Sequence, residues 1–311
     1  MIIQKPKALK KNATIGVISP ASPQRDSSRL DRGVSYLERC GYHVELGRSA
    51  RNSWGGYLAG TDEERRSDIE EMFANPNIDA IFCARGGYGT SRLLHQLDYD
   101  VIRKNPKIVV GFSDTTALQS AIFRKTGLVT FSGAMPSVDM ADTFNPFAEE
   151  WFWGILSEPK FYQKNIINGE RFYNGGAKGK LYCCNLSVMT TLFGTPYTPD
   201  WNDGILLVED IGEDPYRIDR MLSHCENIGL WKELAGLCFG QFTASVVRQS
   251  SVPERPMNEV LKEYSERAKL PCLGNILYGH QSEKVTLPFG AQVQIAQGSA
   301  ALKLIESPLS D

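Results

Sequence analysis

Ser113 stands in Gly111-Phe112-Ser113-Asp114, where an apolar run gives way to a helical pattern. A serine at a sharp strand-to-helix turn exposes its hydroxyl at a sheet edge. The unpaired N–H groups there, its own and that of Asp114, favour developing negative charge. That combination suits nucleophilic attack on a carbonyl with stabilisation of the resulting oxyanion. It equally suits an ordinary helix N-cap, for which serine is a preferred residue. Thr115 stands where G-x-S-x-G would place its second glycine, so the usual hydrolase signature is absent.

A second feature is Arg85-Gly86-Gly87-Tyr88-Gly89. Glycines let a backbone approach a ligand closely and aim N–H groups at it. The segment reads as a phosphate cradle, as the second half of an oxyanion hole, or as a tight turn. Neither G-x-G-x-x-G nor G-K-[ST] occurs, which weakens the first reading. Arg85 is a candidate cation for a substrate carboxylate, or a loop anchor held by an ion pair. Tyr88 and Asn185 are further candidates for substrate contact.

A serine nucleophile needs a base, normally histidine, oriented by a carboxylate. Of the four histidines, His43 falls in a strand pattern, and His95 and His224 fall in helical patterns. Only His280, in Tyr278-Gly279-His280-Gln281, is expected in a loop at a strand end, the usual home of catalytic side chains. The segment Glu209-Asp210-Ile211-Gly212-Glu213-Asp214 supplies the carboxylates. Glu209 and Asp210 adjoin a buried apolar run, so one of them should point inward and need a partner. Glu213 and Asp214 are expected to face solvent or to cap the following helix. Cys83 is a rival nucleophile without an evident base.

These groups need a scaffold, and the first 130 residues supply a clear pattern. Short apolar runs at Thr14–Ser19, His43–Leu46, Asp79–Ala84 and Ile108–Phe112 alternate with helical patterns. One helical face carries Leu30, Val34 and Leu37. A second helix opens at Thr61 with a capping box to Glu64 and ends at Asn75-Pro76. Further helices are expected through Leu93, Leu94 and Leu97 and through Leu118 and Ile122. Such alternation predicts an α/β fold with a parallel sheet covered on both faces, and ligands bind beyond the carboxyl ends of its strands. Both the glycine-rich turn and Ser113 belong there. From 141 to 177 the pattern weakens and reads as a connection. Runs at Gly204–Asp210, Gly236–Phe242, Gly274–Gly279 and Ala291–Ile295 predict a β-rich second domain over 178–311. A helical face of Ile218, Met221, Leu222 and Cys225 lies between the first two of them.

Composition narrows the chemistry. The 311 residues carry a net charge of −2, with no basic stripe for nucleic acid. Seven cysteines at irregular spacing suggest buried thiols, and adjacent Cys183 and Cys184 make a poor disulfide. No His or Cys spacing resembles a metal site, and neither cofactor nor metal is expected. No run of about 18 apolar residues and no signal-peptide pattern appears, so a cytoplasmic protein without membrane attachment is expected.

Taken together, the chain resembles the LD-carboxypeptidase family of serine peptidases, which includes muramoyltetrapeptide carboxypeptidases and microcin-immunity peptidases. The resemblance is carried, in order, by IGVISPASP, YLAGTDEERRSDIEEMF, ARGGYGTSRLL, PKIVVGFSDTTAL, NLSVMTTLFGTPY, LLVEDIGEDPYRIDRML and Gly279-His280. It implies a Rossmann-like N-terminal domain, 1–140, bearing Ser113, and a β-rich C-terminal domain bearing Glu209 and His280. It implies that these three form the triad, with an oxyanion hole near the N–H groups of Gly86, Gly87 and Asp114, in a homodimer. The implied reaction releases terminal D-alanine from cytoplasmic murein tetrapeptides. The alternatives are a peptidyl-nucleotide immunity peptidase of the same family and a non-enzymatic small-molecule binder. Family members commonly have Gly-Gly-Asn at Cys183-Cys184-Asn185 and often His-Gly-Pro at Ser132-Gly133-Ala134. If those segments line the site, the pocket is altered.

Overall fold

The computed structural model describes residues 2–243 and 255–310. Its first part runs β1 (Thr14–Ile18), α1 (Ser27–Arg39), β2 (His43–Leu46), α2 (Asp62–Ala74), β3 (Ala80–Cys83), α3 (Tyr99–Lys104), β4 (Ile108–Gly111), α4 (Thr116–Thr126) and β5 (Thr130–Ser132). The linking segment carries α5 (Pro146–Ser157), α6 (Phe161–Lys164), β6 (Ile167–Asn168) and β7 (Glu170–Tyr173). The rest comprises β8 (Ala177–Asn185), α7 (Leu186–Thr190), β9 (Ile205–Ile211), α8 (Pro215–Asn227), β10 (Gly236–Thr243), α9 (Met257–Ala268), β11 (Cys272–Gly274), β12 (Leu287–Phe289), β13 (Gln292–Ile295) and β14 (Ala301–Leu304).

Two sheets result. The first has the order β12-β5-β4-β3-β1-β2, parallel except where β12 joins β5 antiparallel. The second has the order β6-β14-β13-β8-β9-β10-β11-β7, with a parallel centre of β8 to β11 and antiparallel flanks. The central strands β1, β3 and β4, and β9 and β10 as far as Val208 and Phe239, are continuous apolar runs because both faces are covered. Helix α2 opens with the expected capping box of Thr61 and Glu64.

Within residues 141–177, where the sequence pattern weakens, α5 packs Trp151, Phe152, Ile155 and Leu156 into the main core. Two local expectations are corrected. The segment through Leu93, Leu94 and Leu97 is a 3₁₀ turn and irregular chain, not an α-helix. It begins at Gly89 with φ 130°, outside helical space, although its leucines are buried as expected. Gly274–Gly279 is not a strand: β11 stops at Gly274, and Asn275 and Gly279 take φ values of 54° and 155°. Among the described residues no helix is long and apolar enough to cross a membrane.

Candidate active site

Strands β3 and β4 are neighbours in the first sheet, so the loops after them meet. The loop after β4 puts Ser113 at φ 65°, a left-handed conformation that costs a non-glycine residue about 1–2 kcal/mol. Ser113 is half-exposed there, while Asp114 and Thr115 behind it are buried. The loop after β3 brings Gly86 against it. A Cβ on Gly86 would lie 2.9 Å from the Phe112 carbonyl oxygen and 3.0 Å from Ser113 Cβ. Only glycine permits this approach. No described residue accepts a hydrogen bond from the Gly86 or Gly87 N–H.

Side chains lock the two loops together. The Thr90 N–H donates to Asp114 Oδ2 at 2.9 Å, and Thr90 Oγ1 donates to the Asp114 carbonyl at 2.6 Å. Burial pushes the Asp114 carboxyl above its ordinary range, opposed by these bonds. Ser22 Oγ accepts the Tyr88 N–H at 3.1 Å. Fully buried Arg65 donates to the carbonyls of Pro20, Gly60 and Gly89 and pairs with Asp62. The glycine-rich loop is therefore held from behind.

His280 lies on the segment between β11 and β12. Its Nδ1 is 2.7 Å from Glu209 Oε2. Glu209 sits in β9 with no exposed surface, and its Oε1 accepts from Asn185 Nδ2 at 3.1 Å. Burial holds the Glu209 carboxyl above its ordinary range, opposed by His280. Asp210 is buried too, contrary to the expectation that only one would turn inward. Its Oδ2 accepts the Ser187 N–H and its Oδ1 the Ile211 N–H, each at 2.8 Å. It thus supports the start of α7, and Glu209 alone meets the imidazole. The Phe112 ring packs on the His280 ring at 4.8 Å, so the residue before Ser113 touches the base. The Ser113 hydroxyl makes no hydrogen bond to His280 here; such bonds are commonly long without substrate.

Ser113, His280, Gly86, Gly87 and Arg85 line one cavity of about 500 Å³. Its far wall is the segment from Met135 to Asn145, clamped by α1. Arg29 Nε donates to the Ser137 carbonyl at 2.9 Å, and Arg32 Nε donates to that of Ala141 at 2.7 Å. Arg29 also pairs with Asp142 at 2.7 Å. Helix and wall approach so closely that a Cβ on Gly33 would lie 2.2 Å from the Pro136 oxygen. Lys284 and Asp139 form a buried pair at 2.6 Å in the lining. The sequence offered no signal for this pair.

The other candidates fall elsewhere. His43, His95 and His224 are exposed and outside the cavity lining. Tyr88 is exposed beside Tyr57, with ring centroids 5.9 Å apart, and is also outside the lining. Asn185 is buried and braces Glu209 and Asp210 instead of facing the cavity. Cys83 is fully buried, and burial pushes its thiol up to about 12. Cys183, Cys184 and Ser132 are buried behind the site, where Ser132 Oγ and Tyr278 OH lie 2.8 Å apart. They do not line the cavity, so the expected alteration of the pocket does not follow from them. Asp214 is buried at the N-cap position of α8, and Glu213 pairs with Arg217 at 3.4 Å. The described residues contain no cluster of His, Cys, Asp or Glu that could hold a metal ion.

Comparison with known proteins places this arrangement. Residues 15–133 match the LD-carboxypeptidase N-terminal domain, and residues 178–295 match the LD-carboxypeptidase C-terminal domain. The "Probable murein peptide carboxypeptidase" of Bacillus subtilis is 40% identical over 292 residues, 93% of this chain and 90% of that protein. The muramoyltetrapeptide carboxypeptidase of Oxalobacter formigenes superposes with a TM-score of 0.84 at 31% identity, over 94% of this chain and 98% of that one. The microcin C7 self-immunity protein MccF superposes with a TM-score of 0.87 at 25% identity, over 99% of this chain and 100% of that one. Two domain matches across most of the chain, on a fold shared with these proteins, make this protein a member of the LD-carboxypeptidase family.

Proposed function

We propose that the protein is a serine carboxypeptidase that hydrolyses the bond to the terminal D-alanine of murein tetrapeptides. The observation that carries the reading is the 2.7 Å contact of His280 with buried Glu209, in one cavity with a left-handed Ser113. Glu209 accepts the Nδ1 proton of His280, which leaves the Nε2 lone pair for the base role. His280 takes the Ser113 proton as Oγ attacks the scissile carbonyl, then protonates the departing amine. Water attacks the acyl-enzyme by the same relay in reverse. The N–H groups of Gly86, Gly87 and Asp114 stabilise the tetrahedral oxyanion, each donor contributing about 3–4 kcal/mol in comparable sites.

The name of the Bacillus subtilis relative and that of the Oxalobacter formigenes structure support the murein substrate. Seven unpaired thiols suit a reducing compartment, and we place the reaction in the cytoplasm on peptides recovered from the wall. Assembly as a homodimer follows from the family resemblance and is tested by light scattering. The deciding experiment incubates the protein with muramoyl tetrapeptide and follows D-alanine release by mass spectrometry. Release by wild type and its loss in Ser113→Ala are expected. No release by wild type overturns the murein substrate, and undiminished release by Ser113→Ala overturns the nucleophile. Cleavage of a peptidyl-nucleotide toxin without tetrapeptide cleavage would instead align the protein with MccF.

A further inference from the structure

Arg85 and Lys284 line the cavity beside Ser113, and their surroundings differ. Lys284 is buried and neutralised: its Nζ lies 2.6 Å from Asp139 Oδ1 and 5.1 Å from the Phe112 ring centroid. Arg85 is half-buried and has no carboxylate partner among the described residues. Its Nη1 donates to the Pro23 carbonyl at 3.0 Å and its Nε to the Gly86 carbonyl at 3.2 Å. Its Nη2 makes no hydrogen bond to a described residue. The two carbonyls fix the plane of the guanidinium without cancelling its charge. Arg25 and Arg29 add positive charge nearby, and Arg29 already engages Asp142. A partly buried cation without a counter-ion is costly, and such groups are normally paired. Arg85 is therefore an anion receptor in waiting, one residue before the glycine that touches the Ser113 side chain.

We propose that Arg85 receives the terminal α-carboxylate of the substrate and so confines cleavage to the last peptide bond. The assignment rests on the carboxypeptidase reading above. A planar guanidinium with fixed orientation matches a carboxylate in two-pronged geometry. A chain continuing past the scissile bond would set a neutral amide against an unpaired cation, which disfavours internal cleavage. Lys284 is unsuited to this role because Asp139 already holds its charge.

The test compares murein tetrapeptide as the free acid with the same peptide ending in D-alanine amide. Wild type is expected to favour the acid by about 10- to 100-fold in kcat/KM, the discrimination of one charge-assisted contact. In Arg85→Met the acid-to-amide ratio falls to near unity, with the loss on the acid residing in KM. Arg85→Lys keeps part of the preference, since it has the charge without the fork. The ratio is measured within one preparation, so partial misfolding of a variant cancels. A wild-type preference that survives in Arg85→Met overturns the assignment alone. A wild type that releases neither D-alanine from the acid nor D-alanine amide from the amide overturns the carboxypeptidase reading, and this assignment with it.

Discussion

Replacing Glu209 by glutamine probes the part of the site that carries the functional reading. The two carboxylate oxygens have separate duties: Oε1 accepts from Asn185 Nδ2 at 3.1 Å, and Oε2 faces His280 Nδ1 at 2.7 Å. An amide has one acceptor and one donor. If its oxygen stays on Asn185, its NH₂ meets Nδ1, and the ring must carry its proton on Nε2. The base is then lost to the wrong tautomer. If the amide flips, two NH₂ groups face each other in a site without solvent. Reaching the productive tautomer from either arrangement leaves a buried polar group unpaired, at about 1–3 kcal/mol. The transition state also loses a charge-assisted bond to the imidazolium, about 1.5–3 kcal/mol. The sum, about 3–6 kcal/mol, corresponds to a fall in kcat of roughly 10²- to 10⁴-fold with KM little changed. Serine proteases lose about 10⁴-fold on the equivalent exchange. The assay is steady-state D-alanine release, with circular dichroism to verify folding. A kcat within tenfold of wild type would refute the reasoning. So would a larger loss in Asp210→Asn, because Asp210 serves the backbone of Ser187 and Ile211 and not the imidazole.

Four further predictions concern the same framework. Burial holds the folded-state pKa of Glu209 above its unfolded value of about 4.3, so its contribution to stability falls as pH rises from there through the folded pKa. Glu209→Gln should flatten the pH profile of urea unfolding above about pH 4, and parallel profiles for the two proteins would contradict this. Ser113→Gly should be inactive yet about 1 kcal/mol more stable than Ser113→Ala, since φ 65° strains alanine but not glycine; equal unfolding midpoints would count against the strain. Gly86→Ala should cut kcat at least 100-fold, because its methyl would press on Ser113 Cβ and the Phe112 carbonyl; full activity would show that the loops part freely. Lys284→Met should cost about 3–5 kcal/mol by leaving Asp139 buried and unpaired, and adding Asp139→Leu should recover much of it. Additive losses in the double-mutant cycle would show that the pair is not coupled.

Much of this molecule is legible in local pattern. The inner strands β1, β3 and β4 of the first sheet are covered on both faces, so each is a continuous apolar run that stands out. The capping box of Thr61 and Glu64 announces α2 through side-chain chemistry alone. Ser113 and the glycine-rich turn could be placed at adjacent strand ends because parallel sheets collect ligands there. Helix α5 was obscured by its own start signal. Asn145-Pro146 reads as punctuation, whereas Asn145 is an N-cap accepting from Phe147 and Ala148, with proline in the first turn. Leu93 and Leu97 are spaced as on a helix, but a loop clamped by Arg65 and Asp114 leaves them in turns. Asp139 and Lys284 are far apart in the chain, and no local periodicity can report such a pair. The choice of Glu209 over Asp210 is absent from the local pattern and came from the family resemblance; in three dimensions both carboxylates are buried and only their partners differ.

The antiparallel edge strand β12 closes the first sheet from residues 287–289, late in the chain. His280 hangs between that edge and β11 in the second sheet. During synthesis, then, a ribosome can release the Ser113 turn and four parallel strands long before the base has a seat. Until β12 docks on β5, Ser113 has no seated histidine to serve as its proposed base. The proposed hydrolysis therefore waits on the docking of β12, and a truncation before residue 287 should yield protein that cannot act on any carbonyl.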